Sequence, residues 1–193
     1  MTETKKNRYK QAQGKHLIEV RVKNPNQLFD ARDPAPFRER DLDDDFAQYV
    51  VSSAREFSLA IPLKLVLYLE ESHPDYLTKE IITESIREFF IYQLEMQRRE
   101  LNTFIKRTQV VFLVGILTLA VFLTLAQMIP HGVQSAVLSI LREGLVIFGW
   151  VSIWKPIELI LFDWYPLWQQ IKLYQKLATL EIDVKFEKKE KSV

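Results

Sequence analysis

From Thr108 to Leu141 the chain runs 34 residues with no acidic or basic side chain except His131. A second apolar stretch, Gly144–Trp164, follows almost at once and carries Lys155, Pro156 and Glu158 within it. Apolar runs of this length and so low in charge fit a bilayer better than the core of a small soluble domain. The chain therefore reads as a transmembrane hairpin with charge-rich segments on both sides, and the lipid bilayer as its first partner.

The first span is expected at Gln109–Ile129, about 31 Å as a helix and so matched to the hydrocarbon thickness. Pro130, His131 and Gly132 then break the helix in a tight turn. The second span admits two registers. A crossing at about 133–154 would put Arg142 and Glu143 near the bilayer centre, where neighbours roughly 100° apart on a helix pair poorly. A crossing at about 144–164 instead sets Trp164, Tyr165 and Trp168 at one interface and leaves Arg142 and Glu143 at the opposite one. The second register is preferred. It predicts a short surface helix bearing Val133, Val137, Ile140 and Leu141 before the crossing. A single tilted helix over about 135–165 is the alternative.

Basic residues set the orientation. Arg98, Arg99, Lys106 and Arg107 precede the first span, Lys172 and Lys176 follow the second, and the connection offers only Arg142. The positive-inside rule then puts both termini in the cytoplasm. The first 15 residues are basic without an apolar run behind them, so they read as a disordered tail and not as a secretory signal.

Outside the hairpin, Leu17–Lys23 and Leu63–Glu70 alternate apolar and polar side chains, as half-buried strands do. Phe46, Val50, Ala54 and Phe57 recur at helical spacing and predict a helix over about 43–57. Apolar residues from Leu77 to Ile105 recur likewise, with no Gly or Pro before Gly115, so one helix over about 78–129 would tie soluble domain to membrane. Leu180–Glu187 alternates strictly. An isolated strand is unstable, so it must join a sheet, which requires both flanks on one side of the membrane. The expected fold is an α+β membrane protein: a small cytoplasmic mixed sheet with helices, attached to a two-helix transmembrane hairpin in the order β-α-β-α-TM-TM-α-β. In domain terms this is a cytoplasmic α/β part over 16–107, the hairpin over 108–165, and a returning helix and strand over 166–193.

Chemistry-bearing motifs are few. There is no cysteine, which removes disulfides, thiolate metal sites and cysteine nucleophiles. A net charge of +1 gives no case for nucleic acid. The three histidines, His16, His73 and His131, lie far apart, and five glycines build no phosphate-cradling loop. The expectation is a protein without metal or cofactor, and not an enzyme. The acidic run Asp41, Asp43, Asp44 and Asp45 lacks the glycine turn and terminal glutamate of a calcium loop, and reads as charge gathered at a helix start. Together with Asp33, Arg38 and Arg40 it is a candidate interaction motif. The two arginines are expected to pair with these carboxylates or with a neighbouring subunit.

Lys155 and Glu158 are the sharpest candidates. At i,i+3 they share a helix face, and in the preferred register they lie about 14 Å and 9 Å inside the cytoplasmic interface. Pro156, which removes the hydrogen bond to the Ser152 carbonyl, opens a polar point beside them as a helix kink. Such a pair either serves an ion path or neutralises itself while fixing helix packing in a homo-oligomer. The second reading is preferred, because two helices cannot enclose a pore. Trp150 and Trp154, at i,i+4, are expected to pack on the first span.

The segment Asp33–Asp43 (DPAPFRERDLD) and the later REGLVIFGWVSIWKPIELILFDWYP resemble a family of small bacterial two-span membrane proteins with a DPxPFxxRDLD segment. The resemblance covers most of Ile18–Val184. It implies a bacterial inner-membrane location and carries over no activity and no catalytic residues. The functional expectation is a membrane-anchored scaffold or regulatory module with a protein partner at its cytoplasmic domain. The alternative is a subunit of an oligomeric ion channel or transporter using Lys155 and Glu158.

Overall fold

The computed structural model describes residues 9–36, 40–70, 77–130 and 135–187. It is an α+β fold that divides into two compact units, Met1–Met96 with Gln170–Val193, and Gln97–Gln169.

The first unit is built on a four-stranded sheet in the order β1 (Gln11–Ala12), β2 (Lys15–Val22), β3 (Leu63–Glu70) and β4 (Glu181–Glu187). β1 and β2 are antiparallel; β2, β3 and β4 are parallel. The three longer strands are those the alternation predicts, and the last segment of the chain does complete the sheet, beside β3. β1 corrects the reading of residues 1–15 as a tail throughout. Gln13 and Gly14 both adopt positive φ (53° and 76°), the two-residue turn whose twist suits a hairpin, and Gln11–Ala12 pairs back on β2.

Helix α1 (Asp44–Arg55), the first turns of α2 (Lys79–Met128) and the end of α4 (Trp164–Ala178) bring Val50, Ile82, Ile86, Phe90 and Leu177 onto Ile18, Leu65, Leu67, Leu69 and Val184, all buried. The alternation of the strands puts these sheet residues on one face. The opposite face carries Glu19, Arg21, Lys64, Tyr68, Glu181, Asp183 and Lys185. Parallel sheets are usually covered on both sides. Here the second face is a lattice of ion pairs: Lys64 Nζ lies 2.7 Å from Glu181 and 3.5 Å from Asp183, Lys15 also pairs with Glu181, and Arg21 lies 3.0 Å from Glu187. Val66, at the centre of that face between Glu19 and Asp183, is still only 2% exposed, because long neighbouring side chains shield it.

The second unit contains the later turns of α2 and helix α3 (Ala136–Glu158), which a five-residue π turn, Leu159–Asp163, joins to α4. Two helical stretches, Lys79–Met128 and Ala136–Ala178, are long and apolar enough to cross a membrane. Only 11% of the most apolar window of each is buried, whereas the core helix of a soluble protein would be mostly buried. Hydroxyls within these stretches donate to their own helix: Thr118 to Val114 O (2.8 Å), Thr124 to Ala120 O (2.8 Å) and Ser152 to Phe148 O (2.7 Å).

Two expectations about this unit need correction. No break separates a surface helix from a second span, because Ala136–Glu158 is one helix running through Arg142, Glu143 and Gly144. A lone glycine costs a helix only about 1 kcal/mol and does not end it. Trp150 and Trp154 do not pack on the facing helix either. They are 62% and 71% exposed, and the aromatic contact between the helices is instead Phe122 stacked on Phe148, centroids 6.2 Å apart.

Candidate functional site

In the hairpin unit two glycines face the opposite helix at close range. A Cβ placed on Gly115 would lie 2.8 Å from Pro156 Cγ and 3.2 Å from the Ser152 carbonyl oxygen; one on Gly149 would lie 3.1 Å from Leu119 Cδ1 and 3.4 Å from Phe122 Cβ. Each glycine thus receives the opposite helix, the close approach that small residues permit in apolar surroundings. Gly115, Leu119 and Phe122 recur at spacings of four and three, so the antiparallel register is set by one face of α2. Pro156 is buried on Gly115 while its neighbours turn outward.

That arrangement decides where the charged pair sits. Lys155 Nζ donates to Glu158 Oε2 at 3.0 Å, as their i,i+3 spacing predicts. The side chains are 61% and 44% exposed, so the pair lies on the outer face of the hairpin and not between its helices. Pro156 leaves the Ser152 carbonyl without its helical donor, and the backbone loosens one turn later: Leu159 N–H is shared between the Lys155 and Pro156 carbonyls, and the π turn follows. Counted out residue by residue from these two contacts, an even antiparallel register would bring Lys155 level with about Val114, Glu158 with about Val111, and Arg142 and Glu143 with about Gln127 and Ala126. Arg142 is half-buried and Glu143 exposed.

Beyond the pair, α2 and the segment from the π turn border an apolar groove of about 270 Å³ lined by Phe104, Ile105, Thr108, Phe112, Ile160 and Trp164, among others. Thr108 is 8% exposed, and its Oγ1 is buried without a hydrogen-bond partner. Sequence reading passed over this groove. Its residues come from two segments far apart in the chain, and Thr108 alone gives no signal.

The acidic segment proves to be a loop tie. Phe29 bridges Leu42, Asp30 N–H donates to Asp41 O at 2.8 Å, and Asp43 N–H donates to Leu28 O at 2.9 Å. Within this closure the Asp33 carboxylate accepts from Ala35 N–H (2.9 Å) and, across the loop, from Asp41 N–H (2.8 Å). Those two backbone donors hold its pKa below the usual carboxylate value. Asp43 caps α1, accepting from Asp45 N–H and Phe46 N–H, which is the role the acidic run suggested. Arg40 donates to Ala35 O at 3.1 Å, and Arg38 lies outside the described residues. One two-pronged cation–carboxylate contact in this loop has no counterpart among the sequence candidates. Arg32 forks onto Asp30 at 2.7–3.1 Å and holds its pKa at about 2. Asp41 is displaced upward, first by partial burial and then by Asp33, Asp30 and Asp44. Among the described residues no group of His, Cys, Asp or Glu is arranged to hold a metal ion. His16 is buried against the Phe57 ring and hydrogen-bonded to Gln11, while His73 and His131 lie outside the described residues.

Comparison with known proteins finds no matching family model, no matching curated protein and no matching solved structure.

Proposed function

We propose that this protein is a two-span membrane-anchored interaction module, a scaffold or regulator whose working part is the cytoplasmic sheet unit. One observation carries the reading. β4 lies beyond the hairpin in sequence yet pairs in parallel with β3, so the apolar helices are an insertion between two strands of one sheet. A hairpin inserted there must leave and return on the same side of a bilayer, and it anchors the sheet by two attachments. The positive-inside count puts that side in the cytoplasm. The resemblance to small bacterial two-span proteins supports the bacterial inner membrane as its location.

The channel or transporter alternative is weakened by the position of the Lys155–Glu158 pair. Taking Gln109 as the start of the first span, Lys155 at the level of Val114 lies about 7.5 Å inside and Glu158 about 3 Å inside. Side chains at that depth reach the headgroups by snorkelling. An exposed, self-neutralised pair near the interface fits helix positioning or contact between protomers better than an ion path through the bilayer centre.

Because the chain has no cysteine, single cysteines report sidedness cleanly. Ser52→Cys, Ser135→Cys and Thr179→Cys would each be probed with a membrane-impermeant maleimide in oriented vesicles. Positions 52 and 179 should label from one side and 135 from the other. Labelling of all three from one side, or extraction of the protein by alkaline carbonate, rejects the anchored hairpin. Reconstituted vesicles should carry no ion flux, and a flux abolished by Glu158→Gln would establish the transport reading instead.

A further inference from the structure

Near the charged end of the hairpin unit a second cleft, of about 560 Å³, lies between α2 and the start of α4. Phe104, Pro166 and Leu167 give it apolar walls. Charge reaches it from Glu100 and Arg107 of α2 and from Asp163, the last residue of the π turn. Elsewhere in this chain such groups close on one another, as Arg32 does on Asp30 and Lys155 on Glu158. Here, among the described residues, none of the three forms an ion pair or a side-chain hydrogen bond. Thr103 adds an oxygen that can only accept, because its own proton goes to Arg99 O at 2.9 Å.

The cleft sits at the depth of lipid headgroups. Arg107 stands about 3 Å before Gln109, where the apolar span begins, and its side chain leans back toward the helix N-terminus. Asp163 immediately precedes Trp164 and Tyr165, the aromatic pair that marks the same interface. Glu100 lies about 10 Å farther along α2, toward the cytoplasm.

We propose that this cleft binds a phospholipid whose headgroup ends in a primary amine, phosphoethanolamine by chemical class. Arg107 takes the phosphate, for which a guanidinium offers a planar fork of donors. Asp163, Thr103 and Glu100 take the ammonium, and the acyl chains run on along the exposed Val110 and Val114 side of α2. The mixture of charges selects this lipid. A phosphoglycerol headgroup would satisfy Arg107 but hold its negative charge against two carboxylates. A phosphocholine carries both charges, yet its quaternary ammonium has no N–H to donate. A protonated primary amine supplies three donors to three acceptors.

The proposal rests on reading the hairpin as inserted in a bilayer. Sidedness labelling and carbonate extraction test the insertion and are blind to headgroup, so the two fail separately. For the lipid, the full chain in detergent is titrated with dioleoyl phosphatidylethanolamine, phosphatidylglycerol or phosphatidylcholine, and bound lipid is counted by native mass spectrometry. Phosphatidylethanolamine should be held about three- to tenfold more tightly than either of the others, as one or two charge-assisted hydrogen bonds at an exposed site allow. Asp163→Asn combined with Glu100→Gln leaves Arg107 as a bare cation and should reverse the order, with phosphatidylglycerol held best. Arg107→Gln should abolish the preference, and Arg107→Lys, still a phosphate binder, should keep most of it. A folding defect would lower retention of every lipid alike and could not reverse their order. If the double variant retains no lipid, the wild-type preference and the Arg107 pair of variants decide. Equal retention of the lipids by the wild type, a wild-type preference for phosphatidylglycerol, or a preference unmoved by Arg107→Gln each overturns the site.

Discussion

Replacing Gly115 with alanine isolates the contact that sets the hairpin. The new Cβ would stand 2.8 Å from Pro156 Cγ, roughly 0.7 Å inside the ~3.5 Å at which two carbons come to rest. It would also stand 3.2 Å from the Ser152 carbonyl oxygen. Neither neighbour can step aside, since one is a proline ring fixed to its backbone and the other is backbone itself. The helices must separate, and overpacking of this kind costs about 1–3 kcal/mol. At Gly149 the nearest atom is Leu119 Cδ1 at 3.1 Å, the end of a flexible side chain, and a small rotation accommodates the methyl. Alanine returns up to about 1 kcal/mol of helix propensity at either site. Gly149→Ala should therefore be close to neutral, and Gly115→Ala destabilising by about 1–2 kcal/mol. All four tryptophans, at 150, 154, 164 and 168, lie in this unit, so intrinsic fluorescence during unfolding in detergent reports on the hairpin. Pro156→Ala removes the clashing Cγ, so Gly115→Ala should cost at least about 1 kcal/mol less in that background. Equal stability of the two glycine variants, or no coupling between positions 115 and 156, would refute the packing argument.

Further outcomes follow from the sheet unit. Leu67→Ala empties a fully buried site at the centre of β3 and should cost about 2–5 kcal/mol, seen as faster hydrogen exchange across β2, β3 and β4; loss confined to β3 would mean the strands do not share one core. Asp43→Ala removes the cap of α1 and should cost about 1 kcal/mol, read as fraying of its first turn; unchanged exchange at Asp45 and Phe46 would contradict the cap. Hydrogen bonds from Lys15 and Lys64 hold the Glu181 carboxyl at about 2, well below its ordinary 4.5. A folded pKa lowered in this way contributes stability that is complete above pH 4.5 and is lost as the pH falls from there toward 2. Protection of β4 amides should decline over that window, and Glu181→Gln should flatten this part of the profile; an unchanged profile would show that the ion pairs on the open face contribute nothing.

The elements were legible because period is a local property. Ile18, Val20 and Val22 alternate, as do Leu63 to Leu69 and Leu180 to Phe186, and each run is a strand in the sheet. Phe46, Val50 and Ala54 predict α1, and with no proline and a single glycine between Lys79 and Met128, α2 runs as fifty residues of uninterrupted helix. Reading failed where the answer lay in a partner segment. Trp150 and Trp154 share a helix face, but which face meets α2 is decided by Gly115 and Pro156. Asp33 looked like part of a charged motif. Its role as a tie across the loop depends on Asp41 N–H being brought to it by the Phe29–Leu42 bridge. Nothing local in the sequence separates Arg32 from the other arginines of this loop; its fork onto Asp30 is visible only in the folded chain.

By itself, then, the sequence determined an α+β chain with two apolar helical stretches, a charge-rich sheet, and a last strand that could not stand alone. These follow from hydrophobic period, from helix length against bilayer thickness, and from the instability of an unpaired strand. The tertiary structure decided the rest: a glycine against a proline set the hairpin register, that register turned Lys155 and Glu158 to the outside, and β4 took its place beside β3 at the end of the described sheet. Contacts between segments far apart in sequence have no local period to announce them, so only the folded chain could show which faces meet.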